Sequence, residues 1–193
     1  MKMIGLTGGV ACGKTTAALQ FAERGFPIID TDLIVRELTE HDARVRQAIQ
    51  KEFGTLDRAA LRNVVFQNAG KRRALEKILH PRVEEIVQAR SLALRQSESV
   101  PRAVVVVVPL LFEANWQKFF DFIVAVVADE NRQVAWLVQR DGMTEEFARR
   151  MILSQIPNPE KASKATFAVW NNGTPEDLRA KVAVLIDEIS KKL

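Results

Sequence analysis

The stretch Gly8-Gly9-Val10-Ala11-Cys12-Gly13-Lys14-Thr15 sets Gly8 and Gly13 five positions apart and follows the second with a lysine and a hydroxyl residue. That spacing satisfies G-x-x-x-x-G-K-[ST] at every fixed position. Each fixed residue answers a chemical need. Gly8 and Gly13 permit a tight loop whose backbone N–H groups converge on one anion. Lys14 can reach the β- and γ-phosphates of a nucleoside triphosphate, and the Thr15 hydroxyl can ligate the Mg²⁺ that travels with it. A helix starting there adds its positive end to the anion site. The contacts expected for ATP are Gly9, Ala11, Cys12, Gly13, Lys14, Thr15 and Thr16, with Thr15 on the metal. Cys12 reads more simply as a small residue that fits the loop than as a reactive thiol.

Other side chains have the right chemistry for phosphoryl transfer. Asp30 and Asp32 close a short apolar run, and in a doubly wound sheet the carboxyl ends of strands gather around the ligand. A carboxylate there accepts a hydrogen bond from an attacking hydroxyl or orients water around Mg²⁺; the alternative is capping of a helix that starts beside it. Glu113 follows a second apolar run through Pro109-Leu110-Leu111-Phe112, and is either a contact for acceptor or metal or a plain strand-end carboxylate. Arg140 is the best basic candidate, because a loose phosphoryl-transfer transition state gains mainly from positioning and positive charge; the alternative is a plain surface arginine. His80-Pro81 fits a ligand contact or a corner between helices. Asn171-Asn172-Gly173 reads first as a turn. No Asn-Lys-x-Asp run is present, which argues against a GTPase, and no Asp-Glu pair ends the 103–108 run, which argues against a motor-type ATPase.

These residues need elements to hold them. Residues 3–7 predict a buried strand, 14–24 a helix stopped by Gly25, and 26–29 a second strand. Residues 31–99 read as helical, with breaks at Glu40-His41-Asp42, Phe53-Gly54-Thr55, Ala69-Gly70 and His80-Pro81. The runs 103–108 and 122–127 are apolar without alternation, as in strands covered on both faces. Helices are expected at 131–140 and 145–155, a last strand at 165–170, and a terminal helix opened by Thr174-Pro175-Glu176-Asp177. Strands alternating with helices predict an α/β class, a doubly wound and mainly parallel sheet.

The 193 residues are 47% hydrophobic and 27% charged, values suited to a globular chain of one domain with inserted lobes. Cys12 is the only cysteine, so no intramolecular disulfide can form and a reducing cytoplasmic setting is the expectation. The start of the chain does not read as a secretory signal, and the longest apolar run falls short of the roughly 20 residues a bilayer span takes. The net charge of +4 is concentrated at Lys71-Arg72-Arg73 and between Arg132 and Arg150. Such patches are solvated helix faces or attract a polyanion, and composition does not choose. Trp116, Trp136 and Trp170 lie too far apart for a stacking platform and read as packing residues.

From Ile4 to about Gly173 the chain resembles the dephospho-CoA kinases of coenzyme A biosynthesis. The likeness rests on the Gly5–Thr15 segment, Ile29-Asp30-Thr31-Asp32 with Arg36-Glu37, Leu56-Asp57-Arg58 with Leu61, Val65-Phe66 and Leu75-Glu76, and His80-Pro81. It continues through Val108-Pro109-Leu110-Leu111-Phe112-Glu113, Arg140-Asp141-Gly142, Ser154-Gln155 and Asn171-Asn172-Gly173. It implies a P-loop kinase core (about 1–30, 100–130 and 165–193), a helical acceptor lobe (about 31–99) and a lid (about 131–164). It also implies transfer of the ATP γ-phosphate to the 3′-hydroxyl of dephospho-CoA. Asp32 takes the place of the base; Thr7, Arg36, His80, Leu111 and Glu113 join it around the acceptor. Lys14 and Arg140 serve catalysis at the phosphates, and Asn171 borders the adenine. The implied partners are ATP and dephospho-CoA, with no nucleic acid and no membrane, and a monomer is the default. Departures are Val10-Ala11-Cys12 where the family usually has Ile-Gly-Ser, Thr166 for an aspartate, and Glu84 and Glu85 near a usual arginine. The alternatives are another P-loop kinase acting on a nucleoside, nucleotide or small alcohol, and a nucleic-acid-binding ATPase, for which no recognition signature is found.

Overall fold

Strands rich in valine on both faces have to be covered on both faces, and the arrangement follows from that requirement. The computed structural model describes residues 1–193, apart from the side chains of Phe66 and Gln67. Two compact units are present, residues 1–29 with 97–193, and residues 30–96.

The first unit is built on a five-stranded sheet of β1 (Lys2–Gly8), β2 (Ile28–Asp30), β3 (Ala103–Val107), β4 (Phe122–Val127) and β5 (Phe167–Trp170), in the order β2-β3-β1-β4-β5. The pairings of β1 with β3, β1 with β4, and β4 with β5 are parallel. Their registers place Ile4 beside Val105 and Leu6 between Val107 and Val124. Side chains alternate across a strand, so these residues share one face. That face packs on Ala17 and Phe21 of α1 (Lys14–Glu23) and on Leu178, Val182, Leu185, Ile186 and Ile189 of α9 (Pro175–Ser190). On the other face Gly5 lies against Leu111 and the Phe120 ring, where a Cβ would come within 2.7 Å of Leu111 Cδ1. β3 is buried along its whole length, as its unalternating sequence predicts.

After β4 come α6 (Glu130–Asp141), α7 (Glu145–Leu153) and α8 (Asn158–Lys164). The sequence predicts the first two and misses the third. α8 is opened by Pro157 and Pro159, which suit the start of a helix because their missing N–H groups would be unpaired there anyway. α9 begins with a capping box in which the Thr174 hydroxyl and the Asp177 carboxylate each accept the other's backbone N–H.

The second unit is helical: α2 (Thr31–His41), α3 (Ala43–Phe53), α4 (Arg58–Gln67) and α5 (Ala69–Arg95). Its breaks are local chemistry. Each helix starts from an Asp or Asn whose side chain accepts first-turn N–H groups: Asp30, Asp42, Asp57 and Asn68. Gly54, left-handed at φ 71°, ends α3. The expected break at His80-Pro81 is overturned, because α5 runs on for 27 residues with Pro81 inside it. Pro81 forfeits one helical hydrogen bond. Leu79, Val83, Val87 and Ser91, four apart and buried, hold that face of the helix in the unit's interior across the gap. Among the described residues no helix is long and apolar enough to cross a membrane.

Asp42 is the most heavily bonded of these caps. It accepts the N–H groups of Arg44 and Val45, both at 2.9 Å, and the Arg82 guanidinium at 3.1 Å. The Val45 N–H, then Arg82, hold its carboxyl below the ordinary value of 3.8. A folded-state pKa below the unfolded one adds stability above the unfolded value, and that stability is lost as pH falls through the folded one. Asp42→Asn keeps the capping oxygen and removes the charge. At pH 7 this variant is expected to melt below the wild type, with the gap closing as pH falls well below about 4. A gap of constant size down to pH 2, read by thermal melts across pH, would contradict the charge's role.

Candidate active site

β1 delivers the chain into the glycine loop, and the loop into α1. Gly8 passes so close to the Val126 carbonyl of β4 that a Cβ could not be accommodated. Gly13, left-handed at φ 97°, is the N-cap of α1 and offers no side-chain cap. The first N–H groups of α1 therefore stay available to an anion, reinforced by the positive end of the helix. Lys14 Nζ donates to the carbonyls of Gly8 (3.1 Å) and Gly9 (2.8 Å), which keeps the charge over the loop. Thr15 is exposed in the first turn of the helix, with Thr16 beside it half-buried.

Ala11 also has a left-handed backbone, at φ 59°. The loop around it is held by side chains from far along the chain. The Val10 N–H donates to Gln155 Oε1 at 3.0 Å, and the Val10 carbonyl accepts from Gln133 Nε2 at 2.7 Å. Asn171 Nδ2 donates to the Cys12 carbonyl at 3.0 Å. Asn158 Nδ2 lies 3.6 Å from Cys12 Sγ. Cys12 itself is fully buried, and burial pushes its thiol above the ordinary value. That environment suits a packing residue rather than a reactive one.

The other expected site residues divide. Thr7 is buried, and its hydroxyl donates to the Pro109 carbonyl at 3.2 Å, tying β1 to the segment after β3. The Leu111 side chain is fully buried over Gly5, so as a side chain it is core. Asn171 is buried, with its amide turned to the loop. Glu113 Oε1 accepts the Ile156 N–H at 3.0 Å and pairs with Lys161 Nζ at 2.8 Å. Lys161 has no exposed surface. Its contact with Glu113 is an ion pair without hydrogen-bond geometry, and Glu113 Oε2 is buried with no hydrogen-bond partner among the described residues. Arg140 is exposed at the end of α6, where both oxygens of Asp141 hold its guanidinium at 2.7 Å and raise its pKa.

In the helical unit, Asp32 is exposed in the first turn of α2 and its N–H donates to Asp30 Oδ1 at 2.8 Å. Asp30 is thus the cap and Asp32 a first-turn acid. Arg36 pairs with Glu40 at 3.0 Å, and His80 lies half-buried within α5. The Thr166 hydroxyl accepts the Ile123 N–H at 3.0 Å, which ties the start of β5 to β4. Gln133, Asn158 and Lys161 escape the sequence reading. Each stands in a polar stretch, 129–133 or 158–164, where one more amide or ammonium gives no local signal, and the sequence reading assigns no element to α8, which carries two of them.

A family model described as dephospho-CoA kinase matches residues 2–177. A dephospho-CoA kinase of Geobacter metallireducens is 39% identical over 200 residues, covering 100% of this chain and 98% of that protein. Among solved structures, a Thermus thermophilus protein aligns with a TM-score of 0.78 at 30% identity, covering 96% of this chain and 97% of that one. The dephospho-CoA kinase from Campylobacter jejuni aligns at 0.67 with 26% identity, covering 98% of each chain.

Removing one partner of a buried ion pair strands the other charge, which destabilises by about 3–5 kcal/mol. Lys161→Met is therefore expected to lower stability by about 3 kcal/mol in urea unfolding. The double variant with Glu113→Gln, which keeps an acceptor for Ile156, should be more stable than Lys161→Met alone. A double variant less stable than either single one would contradict the pairing.

Proposed function

Because the chain belongs to the dephospho-CoA kinase family, we propose that it transfers the γ-phosphoryl group of ATP to the ribose 3′-hydroxyl of dephospho-CoA, giving CoA and ADP in the last step of coenzyme A biosynthesis. The observation that carries this reading is the Gly8–Lys14 loop, set between β1 and an uncapped helix with its lysine overhead.

The backbone N–H groups of the loop and of α1 bind the phosphates, and Lys14 follows the charge that develops between the β- and γ-phosphates. The acceptor oxygen bonds to the γ-phosphorus as the bond from that phosphorus to the β–γ bridging oxygen breaks, leaving ADP. The hydroxyl proton passes to the Asp32 carboxylate. Arg140 adds positive charge by exchanging Asp141 for phosphate, and Asn171 fixes the loop beside the adenine. Residues 31–99, with Arg36 and His80, serve as the acceptor lobe, and 131–164 as the lid.

Mg²⁺ fits the donor set. The exposed Thr15 hydroxyl is a suitable single ligand, and among the described residues no group of three or more acidic, His or Cys side chains forms a dedicated cage. This is the pattern of an ion that keeps waters and substrate phosphates as its other ligands. When bound it would neutralise charge on the phosphates. The setting for this reaction is cytoplasmic.

Asp32→Asn keeps the shape and a hydrogen-bonding oxygen but removes the basicity. Its kcat should fall at least about 10²-fold, with ATP affinity little changed. Asp30→Asn keeps the α2 cap and should disturb Mg²⁺ or the loop more than the acceptor. Lys14→Ala should abolish transfer while leaving the fold intact. Steady-state transfer to dephospho-CoA with parallel ATP titration reads all three. Near-normal turnover of Asp32→Asn beside a dead Asp30→Asn would move the base to the other aspartate.

A further inference from the structure

We infer that Gln133, backed by Asn158, is a positioning residue that holds the phosphate-binding loop in its anion-accepting form, and that this support permits alanine at position 11. The inference rests on the reading of Gly8–Thr16 as the ATP site.

A left-handed backbone is unfavourable for any residue with a Cβ. Ala11 nonetheless adopts it, at φ 59°. A residue stays in such a conformation only when its surroundings over-determine it. Here they do. Both backbone groups of Val10, just before Ala11, are taken by side chains, the carbonyl by Gln133 and the N–H by Gln155. Val10 and Ala11 also pack on the apolar cluster of Val134, Leu137 and Ala148 from α6 and α7.

Gln133 is 1% exposed, and it does not hang free behind the loop. Its Oε1 accepts from Asn158 Nδ2 at 2.8 Å, and the same amide donates to the Ala128 carbonyl at 2.7 Å. A continuous strut therefore runs from the end of β4 through Asn158 and Gln133 to Val10. Gly9, a position the phosphate-loop pattern leaves open, reports the tightness of the fit. A Cβ there would lie 2.5 Å from Asn158 Oδ1 and 2.7 Å from Gln133 Nε2. A side chain at position 9 would therefore have to displace the strut, and Cys12 Sγ with it.

A buried amide that merely satisfied its neighbours would affect folding alone. A positioning residue couples to Ala11, because glycine there lowers the penalty that the strut otherwise offsets. The test is a double-mutant cycle of Gln133→Met and Ala11→Gly, read by ATP titration, kcat and KM for both substrates, and thermal melting. Gln133→Met, still cooperatively folded, should weaken ATP binding about tenfold. The effect of Ala11→Gly on ATP affinity should be more favourable in the Gln133→Met background than in the wild type by about threefold or more. Wild-type ATP affinity in Gln133→Met, or the same effect of Ala11→Gly in both backgrounds, overturns the inference. If Gln133→Met does not fold, Gln133→Glu replaces it, keeping the acceptor for Asn158 and losing the donor to Val10, with the same expectations. Lys14→Ala is measured alongside. ATP affinity unchanged by Lys14→Ala would remove the ATP site itself and the inference with it; affinity lost there but kept in the Gln133 variant removes the strut alone.

Discussion

Val10 is tied at both of its backbone groups, and much of the first unit is arranged around that double anchorage. A polyphosphate is best met by N–H groups already converging on it, since groups fixed in advance need no reorganisation when charge shifts. A loop that converges them adopts backbone angles its own residues disfavour, so it has to be held from outside. β1 and β4 hold its entry through the close approach of Gly8 to Val126, α1 receives its exit at Gly13, and Gln133, Gln155 and Asn171 hold the middle. The parallel sheet supplies the geometry: β1 lies between β3 and β4, so the loop emerges with well-packed strands on either side.

The same segment after β4 that supplies Gln133 and Gln155 also carries Arg140, Asn158 and Lys161. Asn158 and Lys161 lie on one short helix, one reaching toward the loop through Gln133 and the other toward Glu113 after β3. The stretches that follow three different strands are thereby joined by buried polar contacts. Such contacts are costly when half-made and specific when complete, which favours one arrangement of these segments over its neighbours. The basic patches look different once their partners are known. Lys71, Arg72, Arg149 and Arg150 each pair with a nearby glutamate. Exposed pairs of this kind add little stability, but they reduce the local excess of positive charge.

What the sequence made legible was whatever is written locally. The glycine loop, the valine run of β3, the cap at Thr174 and the break at Gly54 each carry their signal within a few residues. Pro81 misled because the local rule is real but weaker than the buried face of Leu79, Val83 and Val87 that carries α5 through it. α8 was missed because it is only seven residues long and its sequence has no apolar periodicity to announce it. Gln133, Asn158 and Lys161 were missed for a deeper reason. Their meaning lies in partners such as Val10, Ala128 and Glu113, which only the fold brings to them. Leu111 and Thr7 have a structural part as well, Leu111 in the core over Gly5 and Thr7 bonded to the Pro109 carbonyl, which their place in a motif did not announce.

The central claim, that this loop presents ATP to an acceptor hydroxyl, is tested most directly by the products themselves. The protein is incubated with ATP, Mg²⁺ and dephospho-CoA, and the mixture is resolved by mass. The expected result is ADP and CoA in equal amounts, with the added phosphate on the ribose 3′-oxygen. Recovery of unmodified dephospho-CoA, whether ATP is left intact or hydrolysed to ADP and free phosphate, would contradict it.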